Sequence, residues 1–387
     1  MASLGGGEKQ TLVLAEHLSK SHEVYLFTVT HIDRAYVENY FDVDLSKVKI
    51  VELRDPTHTL KWVPGISRLY FHRLHNVHYW HIREFKLDVF INYTYGSQLQ
   101  SPAKYGIYMC MFPVEMFLDK DRLKKMPAFM KSMLKTFGFK ILNRELQAYE
   151  SYDVITAVSD FTAHWIEQIW GRTSVPVYAV CDPVGRGGPK EKIILNVGRF
   201  ARLNRDYHHK RQDVMVNQFL KMTDLHKDGW QLHFVGSLKA DDETGKEYAD
   251  TLKAAAGNAP IHFHLNAPRD VLLDFHRRAS IYWHATGYGN HADDSPHAQE
   301  HFGITTVESM SAGTVPVVID SGGHRETVLP NVNGILWKDI EEMEAATRML
   351  ANDPELLAKY SVEAEKAGHR YDRAAFGARM DEILASL

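Results

Sequence analysis

The chain has 387 residues, more than a single compact core usually holds, so two domains are expected. Its composition is that of a globular protein, 44% hydrophobic and 24% charged, and a net charge of −4 excludes a general polyanion-binding surface. Cysteine occurs only as Cys110 and Cys181, which excludes a disulfide framework, and no stretch approaches the roughly 18 apolar residues of a membrane span.

In chain order, segments of helical and strand-like periodicity alternate. Gly5-Gly6-Gly7-Glu8 reads as a phosphate-approach turn that opens a helix through Leu12–Leu18. A strand is expected at Glu23–Thr30, a helix at Ala35–Tyr40, a strand at Val48–Leu53 and a helix at Ile66–Arg83. Strands follow at Asp88–Tyr93 and Gly106–Met111, then a long helix within Ala128–Glu150. The first half closes with a strand at Asp153–Val158, a helix at Phe161–Trp170 and a strand at Val175–Val180. In the second half, strands are expected at Lys192–Val197, Trp230–Val235, Ile261–Leu265, Ile281–His284 and Val315–Ile319. A helical tail runs from Ile340 to Leu387. Such alternation in both halves predicts an α/β chain of two doubly wound, Rossmann-like domains facing a cleft. The loop Asp182–Lys190 lacks periodicity and marks the boundary. It divides the chain into a first domain over 1–185 and a second over 186–370, followed by a C-terminal helix at 371–387.

The Gly-rich turn at Gly5 calls for a strand before it, and Met1–Leu4 is too short to supply one. The expectation is a chain that starts late, with the first, central strand missing from its N-terminal sheet and a gap left there.

The densest chemistry lies in Glu300-His301-Phe302-Gly303-Ile304-Thr305-Thr306-Val307-Glu308. A loop carboxylate precedes a bare glycine and a short helix with a second carboxylate one turn in. Backbone N–H groups and the helix dipole there suit an anion, and the two carboxylates suit hydroxyl groups. Thr305-Thr306-Val307-Glu308 is equally a capping-box pattern, with Thr305 at the N-cap and Glu308 at N3. Upstream, a strand end delivers Arg199 and a helix start delivers Lys210, two cations suited to clamping a diphosphate. A solvated charged loop with His208, His209 and Arg211 is the alternative. Gly322-Gly323 reads as turn chemistry, and His324 and Glu326 carry no assigned role.

This constellation resembles the E-x7-E signature of the retaining family 4 glycosyltransferases, which have the GT-B fold. The resemblance runs from Gly5 to the helical tail and is most specific over Glu300–Gly313. It implies that Arg199 and Lys210 hold the donor diphosphate, that Glu300 contacts the transferred sugar, and that Glu308 binds the ribose hydroxyls. Phe302, Gly303, Ile304 and Thr305 would meet the donor, and Gly6 and Gly7 would face its phosphates across the cleft. The implied reaction moves a hexose from a nucleotide diphosphate sugar to a hydroxyl of a glycan or lipid-linked glycan. The Glu-His-Phe-Gly-Ile wording is similar to mannosyltransferases, so GDP-mannose is the first donor expected. Rival readings are a non-catalytic nucleotide-sugar binder and a nucleotide-sugar epimerase.

One departure concerns the acceptor side. Family members often carry a histidine after the strand matching Gly106–Met111, whereas this chain reads Cys110-Met111-Phe112-Pro113. A thioether accepts no proton, so the departing diphosphate is expected to take it. Tyr95, Gly96 and Ser97 line either the acceptor side or a plain turn.

No cofactor or metal is expected. Asp42-Val43-Asp44 reads as a turn, and His291, Asp293, Asp294, His297 and His301 fit no zinc spacing. Between Lys120 and Arg144 a basic amphipathic helix is expected. Its cationic face suits weak contact with an anionic membrane, so the expected place is the cytoplasm, peripheral on the inner face of the membrane. No nucleic-acid partner is expected.

Overall fold

The structure is a computed structural model that describes residues 5–53, 78–97, 99–113, 148–201, 210–290 and 294–387. Most of the helix expected at Ile66–Arg83, the basic helix expected between Lys120 and Arg144, the long helix expected within Ala128–Glu150 as far as residue 147, and His208, His209, His291 and Asp293 lie outside the described residues. The chain forms two compact units. The first comprises residues 1–158, 162–177 and 380–387, and the second residues 159–161 and 178–379. The main crossover at Val177–Tyr178 lies ahead of the Asp182–Lys190 loop where composition puts the boundary.

In the first unit α1 (Gly6–Leu18) starts at an N-cap Gly5, whose N–H donates to the Glu8 carboxylate. It buries Leu12, Val13, Leu14 and Ala15. Next come β1 (Val24–Thr28), α2 (Arg34–Phe41) and β2 (Val48–Glu52). Asp33 caps α2, accepting from Tyr36 N–H, and Asp42 ends it in the left-handed region. The Asp42–Asp44 segment is therefore turn chemistry.

The strands β3 (Val89–Asn92), β4 (Tyr105–Cys110), β5 (Val154–Ala157) and β6 (Val175–Pro176) form a parallel sheet in that order. Its core gathers Ile82, Phe90, Tyr108, Tyr152, Ile155 and Ile166, the last from α3 (Asp160–Trp170). Among the described residues β1 and β2 pair only with each other, so the described strands of the first unit form two sheets. The strand expected at Val175–Val180 stops after two residues. Val177 N–H still donates to the Ala157 carbonyl at 2.8 Å, and Pro176 is tolerated because β6 is the edge strand of this sheet among the described residues.

The second unit carries one parallel sheet of six strands, ordered β12-β11-β10-β7-β8-β9. These are β7 (Glu191–Val197), β8 (Gln231–Gly236), β9 (Ile261–Leu265), β10 (Ala279–His284), β11 (Val315–Ile319) and β12 (Ile335–Trp337). Between them run α4 (Gln212–Lys221), α5 (Thr223–Lys227), α6 (Glu243–Ala256), α7 (Arg269–Arg278), α8 (Ile304–Ser311) and α9 (His324–Thr327). The central strands are buried and mostly apolar, as expected of a parallel sheet with helices on both faces. Ile194, Ile281, Trp283 and Val317 lie in one buried cluster, and Leu195, Tyr282 and Val318 in another.

The chain winds outward from β7 to β9, then returns to β10 on the other side of β7. That reversal is a topological switch point, where open α/β sheets leave a crevice at the strands' carboxyl ends. The expected tail is three helices: α10 (Ile340–Asn352), α11 (Pro354–Gly368) and α12 (Arg373–Ala385). Asp353 accepts from Leu356 N–H and Pro354 takes the first helical position, so a new helix starts where the continuous one was expected.

Candidate active site in the second unit

Glu300 ends the loop before α8, and its carboxylate is the hub of a buried polar group. Oε2 accepts from the ammonium of Lys210 and lies 3.0 Å from Nε2 of His284. Burial opposes ionisation of Glu300, but Lys210 and His284 outweigh it and hold the carboxyl well below the usual range. Burial in turn pushes His284 down, and Lys210 adds to that, against the pull of Glu300. His324 stands edge-on to His284, ring centroids 4.5 Å apart, with Nε2 3.1 Å from the Thr306 hydroxyl. Burial and the neighbouring His284 hold His324 well below the ordinary histidine range.

Lys210 reaches Glu300 because Gly198, at the end of β7, has no side chain. A Cβ there would lie 2.8 Å from Lys210 Cγ. Next to it Arg199 is exposed, and its carbonyl accepts from Gln212 Nε2 at 3.1 Å. The two expected cations thus flank the end of one strand. Arg211 is in the left-handed region with φ +53°, and its guanidinium binds Asp213 and the Tyr288 carbonyl. It ties α4 to the loop after β10.

At α8 the capping-box alternative does not form. The N-cap is Gly303, with φ +94°, and the helix begins at Ile304. The Thr305 hydroxyl pairs instead with the Tyr282 hydroxyl at 2.7 Å, and Glu308 lies a full turn into the helix. The first-turn N–H groups of Ile304 and Thr305 have no carbonyl four residues back within the helix. Phe302, expected beside the donor, is 3% exposed, stacked on Tyr178 and edge-on to Tyr371. Its side chain serves the core, because an aromatic ring of this size is best satisfied by apolar neighbours.

Gly322 and Gly323 do more than turn the chain. Gly323 N–H donates to the Glu300 carbonyl at 2.8 Å, and a Cβ on Gly322 would collide with the Glu300 backbone. These glycines let α9 approach the carboxylate loop. Glu326 accepts from the N–H groups of Asp160 and Phe161, each at 2.7 Å, and burial pushes its carboxyl up to about 7.

Gly6 and Gly7 belong to the first unit. A Cβ on Gly7 would lie 3.6 Å from Met111 Sδ, so the Gly-rich turn adjoins the position where a histidine was looked for. Cys110 is 2% exposed, and burial holds its thiol well above the usual range. Sequence reading passed over His284 and Tyr282, which end an apolar strand and give no motif, and assigned no role to His324. Among the described residues no three histidine, cysteine or carboxylate groups are arranged to hold a metal ion.

Comparison with known proteins bears on this geometry. Residues 186–367 match the family described as Glycosyl transferases group 1. The chain is 34% identical over 130 residues to a GDP-Man:Man(3)GlcNAc(2)-PP-Dol alpha-1,2-mannosyltransferase of Yarrowia lipolytica, covering 31% of this chain and 19% of that one. It is 27% identical over 244 residues to a phosphatidyl-myo-inositol mannosyltransferase of Mycolicibacterium smegmatis, covering 60% and 56%. The matches thus span only about a fifth to about a half of these relatives' own length. The crystal structure of Anabaena HepE with UDP-glucose superposes with TM-score 0.68 at 16% identity, covering 100% of this chain and 98% of that one. At that identity the likeness shows a shared fold, the GT-B architecture expected from the resemblance. The Glu300–Glu308 helix unit at the sheet's switch point lies within the residues 186–367 that are similar to the group 1 glycosyl transferases.

Proposed function

We propose that the chain is a retaining glycosyltransferase that moves a hexose, mannose first among candidates, from a nucleoside diphosphate sugar to a hydroxyl of a glycan or lipid-linked glycan. The observation that carries this is the Lys210–Glu300 pair beside the N-terminus of α8 and the exposed Arg199. Arg199, Lys210 and the N–H groups of Ile304 and Thr305 neutralise the diphosphate as the bond from its oxygen to the sugar's anomeric carbon breaks. The acceptor oxygen bonds to that carbon on the same face, and its proton passes to the departing diphosphate oxygen. Glu300 holds the sugar and Glu308 the ribose. No metal or cofactor is assigned a part.

The acceptor class and the donor are supported by the printed activities of the mannosyltransferase relatives. No helix among the described residues is long and apolar enough to cross a membrane. A cytoplasmic place with peripheral contact to an anionic leaflet is part of the proposal, and its basic segment Lys120–Arg144 lies outside the described residues. A second reading, a nucleotide-sugar binder without turnover, is favoured by Met111 at the position where family members place a histidine.

The deciding experiment measures nucleoside diphosphate release from a panel of nucleotide sugars. Release from one donor is expected, reduced on the order of a hundredfold or more in Glu300→Ala. Release that persists unchanged in the variant removes Glu300 from the reaction, and donor binding without release favours the second reading.

A further inference from the structure

The two oxygens of Glu300 are differently placed. Both protein donors, the Lys210 ammonium and the His284 ring, converge on Oε2. Oε1 has no protein donor among the described residues. The His284 ring is fully buried, with its orientation held from two sides. Thr286 N–H points at Nδ1 from 3.4 Å, and the Thr286 hydroxyl is 3.3 Å from Nε2. A backbone N–H can only donate, so Nδ1 carries no proton and the neutral ring bears its proton on Nε2, toward Glu300. The face of His284 is closed by the edge-on ring of His324.

We propose that His284 is a positioning residue: it donates Nε2–H to Oε2 of Glu300, fixes the carboxylate plane, and leaves Oε1 to accept a hydroxyl of the transferred sugar. The proposal rests on the transferase reading and adds to it the part of the donor that this atom reads. A carboxylate with two free oxygens can swing between hydroxyl partners. One pinned through Oε2 presents a single acceptor in a fixed direction, which is what discrimination between hexose epimers requires. Lys210 alone does not fix that plane, because its ammonium sits on a flexible stem and binds as a point charge.

The ring proton can be read without any turnover. In protein labelled with 15N-histidine, His284 is expected as the Nε2–H tautomer, and burial holds its titration below the ordinary histidine range. Its Nε2–H resonance should move when Glu300→Gln removes the acceptor's charge. A proton on Nδ1, or a resonance indifferent to Glu300→Gln, overturns the proposal.

Calorimetry reads the sugar-facing half. His284→Ala should weaken a nucleotide sugar by about tenfold while leaving the bare nucleoside diphosphate unchanged, and His284→Gln, whose amide N–H reaches the same oxygen, should recover the loss. Equal loss for both ligands means a merely structural histidine and overturns the proposal, as does no loss for either. If His284→Ala does not fold, His284→Gln against wild type and the ring proton decide. A wild-type chain that binds the diphosphate no better with a sugar attached overturns this proposal and leaves the diphosphate site standing. A chain that binds neither overturns the transferase reading as well.

Discussion

Gly303 has a backbone φ of +94°, and a Cβ built on it would sit 3.0 Å from the His324 ring. Any L side chain there meets a strained backbone, worth about 1–2 kcal/mol, and a buried imidazole that cannot retreat. Gly303→Ala is expected to lower the melting temperature by several degrees and to weaken nucleoside diphosphate binding, since the first turn of α8 shifts with it. Thermal unfolding and calorimetry on the variant check both, and an unchanged melting temperature sinks the argument. This glycine was legible in the sequence, because a bare residue between a carboxylate and a helix start has few other uses. Glu300 and Lys210 were each legible as site residues, but their direct ion pair was not, because it depends on how the loop before α8 meets the start of α4. His284 was not, because it ends the apolar run Ile281–Trp283, and only the pairing of β10 with β7 brings it toward Lys210. Phe302 misled in the opposite sense. Its neighbours in sequence belong to the site, but its ring turns into the core.

Among the elements, β8 and β9 carry an uncommon cluster. His233 lies directly opposite His262 in the register, and its Nδ1 is 3.0 Å from Nε2 of His264. Phe275 of α7 covers the group, and Arg278 and Glu191 stand nearby. Burial, then the repulsion of His262, His264 and Arg278, pushes His233 down to about 3, with Glu191 opposing. The unfolded histidine binds its proton near pH 6.5, so between that value and about 3 the unfolded chain holds more protons than the folded one. Stability is therefore whole above pH 6.5 and is lost as pH falls through this window. His233→Val suits the strand and removes the proton. Its acid unfolding midpoint, followed by circular dichroism, should lie at lower pH than wild type; an equal or higher midpoint contradicts the assignment. The strands themselves were legible from Ile-His-Phe-His-Leu alternation, whereas the cross-strand meeting of three histidines depends on register, which alternation leaves open. Helix limits were less legible. The Thr305–Glu308 capping pattern lost to Gly303, whose positive φ starts α8 two residues earlier.

At the scale of the molecule the two units are built unequally. The second has one continuous six-stranded sheet with buried clusters on both faces. The first, among the described residues, divides its strands between a pair and a foursome, and every residue of β1 is only half-buried. Doubly wound alternation was readable for both, whereas which strands pair depends on order and register that periodicity leaves open. A two-stranded ribbon has little stability of its own. Thermal unfolding is accordingly expected in two transitions, with the amides of β1 and β2 exchanging hydrogen well before those of β7 and β10. A nucleoside diphosphate should act on the later transition, because Arg199, Lys210 and α8 all belong to the second unit. At a hundred times its dissociation constant the ligand adds about 2.7 kcal/mol, which for a unit of this size raises that transition by roughly 5–10 °C. Scanning calorimetry with and without the ligand, paired with hydrogen exchange, tests this. A single transition whose calorimetric and van't Hoff enthalpies agree contradicts the unequal units. Two transitions of which the ligand moves only the earlier would relocate the diphosphate site to the first unit, and with it the roles given to Arg199 and Lys210.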